Sequence, residues 1–147
     1  MLLYCILVPI FLALIINLII YIFGYYKKIN THSNPFIPAG YIVGIIWTLL
    51  LGILGYVYYL LYMLNNNINI GNLSIIILIL YSLSYPFFIF MNQNHMLLCN
   101  MIGLILSFIV SLTVIFYSKY IFIYMIPLLL WISYVNIIFI IKKQDVK

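Results

Sequence analysis

Few side chains in this 147-residue sequence could carry chemistry: two tryptophans, two histidines, two cysteines and one acidic residue. The acid is Asp145, near the C-terminal end, and no Asp, Glu, Lys or Arg falls within any of the long apolar runs. Paired-carboxylate catalysis, an ATP site and charged-ring ion selection therefore lack the residues they need. A proton- or sodium-coupled transporter would carry an ionisable group at membrane depth, and none is present. What lies deep is aromatic. Trp47 stands about two turns into the second apolar run and Trp131 near the middle of the last, away from the headgroup level where belt tryptophans sit. As core packing they need no function; as walls of a flat apolar pocket they would stack on a planar ligand.

The elements that must position these residues follow from composition. The chain is 69% hydrophobic and 5% charged, where a soluble domain is about a quarter charged. No water-soluble fold could cover itself with so little polar surface. A helix crosses the hydrocarbon core with about 20 apolar residues, and five such runs occur, at 2–23, 40–64, 73–91, 96–117 and 121–141. The expectation is an all-α integral membrane protein: a five-transmembrane-helix bundle forming one domain over 1–147, with a longer lid loop at 24–39. The first run has no basic leader and no small-residue cleavage pattern, and reads as a retained helix rather than a signal peptide.

Lysine placement supports an odd number of spans. With five, Lys27, Lys28, Lys142, Lys143 and Lys147 share one side and Lys119 stands alone on the other. By the positive-inside rule the C-terminus lies on the cytoplasmic or cytosolic side. The formal charge of +5 therefore reads as orientation and contact with lipid headgroups, and no nucleic-acid partner is expected. Cys5 and Cys99 fall near opposite membrane faces in this topology, too far apart for a disulfide.

Small residues recur at helical spacing. Gly40, Gly44, Thr48 and Gly52, with Gly55 a turn further, line the second span, and Cys99, Gly103, Ser107 and Ser111 line the fourth. Such ladders let helix backbones approach closely in lipid; packing inside one bundle is the first reading and a homodimer seam the second. Pro9, Pro86 and Pro127 sit within spans one, three and five, where each removes a backbone donor and tends to kink a helix. His32 and His95 fall in loops on the lysine-rich side. Two imidazoles make a weak metal signal, so no metal site is assigned; they read as solvated loop residues, with axial haem ligation the minority reading.

The order of these features resembles the translocator protein / tryptophan-rich sensory protein (TspO/MBR) family. The segment Asn34-Pro35-Phe36-Ile37-Pro38-Ala39-Gly40, followed by Trp47 and Gly55-Tyr56, is similar to the family's Pro-x-Trp-x-Pro-Pro loop and second helix. Ser84-Tyr85-Pro86-Phe87-Phe88 resembles its Trp-x-Pro-x-Phe-Phe region, and Pro127 to Trp131 its Pro-Tyr-Leu-x-Trp segment. Phe36, Ala39 and Ser84 depart from the pattern, and Asn100 stands where an acidic residue is common. Tyr134 is too far from Lys142 for the family's sterol-recognition pattern, so sterol binding by that motif is not expected.

The resemblance implies a pocket opening toward the first loop that binds porphyrin or haem and other flat hydrophobic or lipid-like molecules, with no obligatory cofactor. Its ligand-binding residues would be Phe36, Pro38, Trp47, Leu51, Tyr85, Pro86, Phe88, Pro127, Trp131, Tyr134 and Val135. Lys27 and Lys28 would attract porphyrin propionates. The positions of Trp47 and Trp131 match the pair tied in some bacterial relatives to light-dependent oxidative degradation of porphyrin, which makes them the catalytic candidates. The alternative from another class is a non-catalytic protein that binds, senses or transports tetrapyrroles or lipids.

Overall fold

The computed structural model describes residues 1–23, 40–65, 67–91 and 96–145. The lid loop 24–39, with Lys27, Lys28, His32, Phe36 and Pro38, lies outside the described residues, as do His95 and Lys147. The elements are α1 (Leu2–Ile22), α2 (Gly40–Asn65), α3 (Ile70–Met91), α4 (Met96–Tyr117), the single turn α5 (Lys119–Phe122), a 3-10 turn (Ile123–Met125) and α6 (Ile126–Asp145). No strand occurs among the described residues. Five segments, Leu2–Ile22, Gly40–Leu64, Ile70–Phe88, Met96–Tyr117 and Lys119–Ile138, are long and apolar enough to cross a membrane. The chain is an all-α, multi-pass integral membrane protein built as a five-helix bundle.

Helix α2 is central because it buries two faces. One carries Leu50, Leu51, Leu54, Val57 and Leu61 into a core shared with Ile75 and Leu78 of α3, Val110 and Val114 of α4, and Leu128 and Ile132 of α6. The other face is the small-residue ladder, and it packs on α1. Asn17 of α1 donates through Nδ2 to the Gly44 carbonyl at 3.4 Å and to Thr48 Oγ1 at 3.3 Å. Gly52 lies against Ile10. Gly55 makes the closest approach: a Cβ there would overlap the backbone oxygen of Cys5. That oxygen is the one Pro9 leaves without its helical donor, since residue 9 has no N–H to return to residue 5. Two sequence irregularities on different helices thus meet at one point. Elsewhere α1 is apolar around its circumference and buries only Pro9 and Ala13.

The ladder of α4 also turns inward. Asn100, Gly103, Ser107, Val110, Ser111 and Val114 form its buried stripe. Ser107 and Ser111 donate back to the carbonyls of Gly103 at 2.8 Å and Ser107 at 2.7 Å, which satisfies their hydroxyls where water is absent. Among the described residues, Gly44, Gly52 and Gly55 pack on α1, and Gly103 packs on Tyr81 of α3. Cys5 and Cys99 are both free and half-buried.

Two boundaries depart from the expectation. Helix α3 begins at Ile70 rather than at 73, because Asn69 and Asn72 cap it reciprocally. Asn69 Oδ1 accepts from the Asn72 N–H at 2.9 Å and Asn72 Oδ1 from the Asn69 N–H at 3.2 Å. Asn72, fully buried, also donates to the Tyr58 carbonyl at 2.8 Å and ties the turn to α2. The fifth span is the second case. It is not one helix from 121 to 141 with Pro127 inside it; Pro127 is the second residue of α6. The 3-10 turn before it lets the Ile126 N–H reach the Ile123 carbonyl, the acceptor that Pro127 could not serve.

Candidate ligand site

Two spaces among the described residues are lined by both α2 and α6. The inner one is a cavity of about 20 Å³ among α2, α3, α4 and α6. Trp47, Tyr85, Tyr81 and Asn100 wall it together with Ser82, Cys99 and Val135. The rings of Trp47 and Tyr85 lie tilted, 6.1 Å apart. The Tyr85 hydroxyl donates to Asn100 Oδ1, and the Tyr81 hydroxyl donates to the Cys99 carbonyl at 2.6 Å. Asn136 of α6 donates through Nδ2 to the Asn100 carbonyl at 3.2 Å and to its own Ile132 carbonyl at 2.9 Å. A chain of uncharged hydrogen bonds therefore links α3, α4 and α6 near one end of their spans. Asn100 Nδ2 and Asn136 Oδ1 are buried without a partner among the described residues.

The outer space is an open groove of about 520 Å³ between α2 and α6. Ile46, Leu49, Leu50 and Ile53 form one wall, and Pro127, Leu130, Trp131 and Tyr134 the other. Each set follows the i, i+3, i+4, i+7 spacing that puts four side chains on one helix face. The rings of Trp131 and Tyr134 are 5.7 Å apart and inclined by 31°, a nearly continuous aromatic wall. The indole Nε1 of Trp131 is buried without a hydrogen-bond partner. Ligand sites typically occupy about 300–1,000 Å³, a range that includes the groove and excludes the cavity.

The candidate residues are thereby divided. Trp47, Tyr85 and Val135 line the cavity; Pro127, Trp131 and Tyr134 line the groove. Among the described residues, Trp47 lines the cavity and Trp131 the groove. Leu51 is part of the core and lines neither space, Pro86 is half-buried and Phe88 exposed on α3. Gly40 is the first residue of α2. Asn136, Tyr81 and Ser82 had no place among the candidates, although a polar side chain in an apolar run is costly enough in lipid to ask for a partner.

Fold and site define a multi-pass α-helical membrane protein whose interior polar groups, among the described residues, are uncharged. A family model described as the TspO/MBR family matches residues 5–140. The chain belongs to that family, and it is accordingly a translocator-type membrane protein. It gives no significant match to a curated protein or to a solved structure.

Proposed function

We propose that the protein binds flat hydrophobic molecules, tetrapyrroles such as protoporphyrin IX or haem among them, in the groove between α2 and α6. The observation that carries this reading is the groove itself: a volume of about 520 Å³, apolar walls, and the Trp131–Tyr134 aromatic face. A planar macrocycle gains stacking and apolar burial there. Membership in the TspO/MBR family agrees with it. Binding without chemistry is favoured over light-dependent degradation, because Trp47 and Trp131 border different spaces.

The test is a protoporphyrin IX titration of purified protein in lipid nanodiscs, read by tryptophan fluorescence. The Trp47→Phe variant, which keeps only the groove indole, should show saturable quenching, and Trp131→Ala, followed by porphyrin absorbance, should bind about 10-fold more weakly, as loss of one aromatic contact implies. Absence of saturable quenching in Trp47→Phe would sink the proposal. Illumination of the complex separates the readings: porphyrin absorbance that persists supports binding alone, and loss that depends on both tryptophans supports degradation.

A further inference from the structure

The groove between α2 and α6 is closed at one end and open along its side. Tyr56 continues the α2 wall one turn beyond Ile53, and Tyr124 stands three residues before Pro127; their rings meet edge to face, 5.2 Å apart. At that end α2 packs on α5 and the 3-10 turn. In the other direction the two walls continue through Ile42 and Ile137, both exposed. Leu49 and Leu130, one from each wall, are 62% and 66% exposed and form the lips of the groove. Leu50, which also lines it, is 5% exposed and forms its floor.

Depth in the membrane decides what reaches this space. Ile53 lies at the middle of the span Gly40–Leu64 and Pro127 near the middle of Lys119–Ile138, so the closed end falls near the bilayer centre. From Ile53 back to Ile46, α2 rises about 10 Å, which fits within the roughly 15 Å of hydrocarbon in one leaflet. The groove therefore belongs to a single leaflet, the one on the Gly40 side. Left empty, its walls would forfeit dispersion contacts, and water would find too few polar partners to stay. We propose that one acyl chain of a phospholipid from the Gly40-side leaflet occupies the groove, with its terminal methyl at the Tyr56–Tyr124 end. A chain anchored in the opposite leaflet would have to pass the two tyrosine rings. The open side between Leu49 and Leu130 lets the chain enter and leave without crossing water. This occupancy does not rest on tetrapyrrole binding; a tetrapyrrole that enters the groove takes the place of the chain.

Solid-state NMR of the wild-type protein, methyl-labelled at Leu and Ile and placed in phosphatidylcholine liposomes, tests it through magnetisation transfer from the acyl chains at short mixing times. Leu49 and Leu130 touch any surrounding lipid and serve as positive references; Leu54, 1% exposed and outside the groove, sets the background. Transfer to Leu50 is expected several-fold above that at Leu54. With chains labelled at one position, the terminal methyl should transfer most strongly to Ile53 and methylenes nearer the headgroup to Ile46. Transfer to Leu50 no greater than to Leu54, with the lips responding normally, overturns the proposal. The reverse order along Ile46 and Ile53 overturns it as well, because the chain would then come from the other leaflet. Saturation with protoporphyrin IX should bring Leu50 down to the Leu54 level. Transfer to Leu50 that persists while absorbance shows the porphyrin bound would sink tetrapyrrole binding in the groove and leave the acyl chain in place.

Discussion

Gly55 is the residue whose replacement is most sharply predicted. A methyl group there overlaps the Cys5 oxygen, which is backbone and cannot rotate away, so α1 must shift along α2. Gly55→Ala should cost about 1–3 kcal/mol, the usual range for overpacking, seen as a lower thermal midpoint in detergent; an unchanged midpoint would refute the close approach. Asn136 makes a second case. Asn136→Leu removes the bond to the Asn100 carbonyl but also removes a buried acceptor without a partner, so its cost should be small. Asn136→Asp keeps the size, loses the donor and adds a carboxylate at a buried position, where an unpaired charge is costly. The aspartate variant should be clearly the less stable of the two, and equal midpoints would argue against the interhelical bond. At this scale the sequence pointed to Trp47 and Trp131 by their rarity. It could not show that they line different spaces, because both lie on apolar helices and the indole's surroundings depend on which neighbour each helix meets. Asn136 was passed over for a related reason: its partner is a backbone carbonyl of another span, which leaves no mark in residue type.

Among the elements, the prolines separate according to what each helix does with the carbonyl left behind. The Cys5 carbonyl is met by α2, the Ile123 carbonyl by a 3-10 turn, and the Ser82 carbonyl lacks the N–H that Pro86 cannot supply. Pro86→Ala should therefore act differently from Pro127→Ala. The first supplies an N–H to an acceptor that lacked one, and should raise the thermal midpoint and slow amide exchange around residues 82–86. The second adds a donor where Ile126 already serves, and should change the midpoint little. The reverse order would show that Ser82 is satisfied by another route. Span positions were legible because 20-residue apolar runs leave few alternatives in lipid. The start of α3 was hidden by its asparagines, which read as a polar loop until Asn69 and Asn72 are seen capping each other. The break in the fifth span was hidden because Ile123–Met125 is as apolar as the helices around it.

For the molecule as a whole, five spans place the two termini on opposite sides, and the lysine distribution puts Lys27, Lys28, Lys142, Lys143 and Lys147 together. In the variant Cys5→Ser/Cys99→Ser, a cysteine at position 147 should resist a membrane-impermeant maleimide in intact cells, and one at position 2 should react. The opposite pattern would invert the proposed cytoplasmic C-terminus. The meeting of Pro9 with Gly55 has a bearing on how the chain is made. A first helix released alone into lipid would present the Cys5 carbonyl with neither a helical donor nor water, a costly state in hydrocarbon. Only when the second helix arrives does its bare glycine backbone come close enough to cover that oxygen. The first two helices are therefore suited to leave the insertion machinery as a hairpin, with the rest of the bundle assembling on a pair already formed.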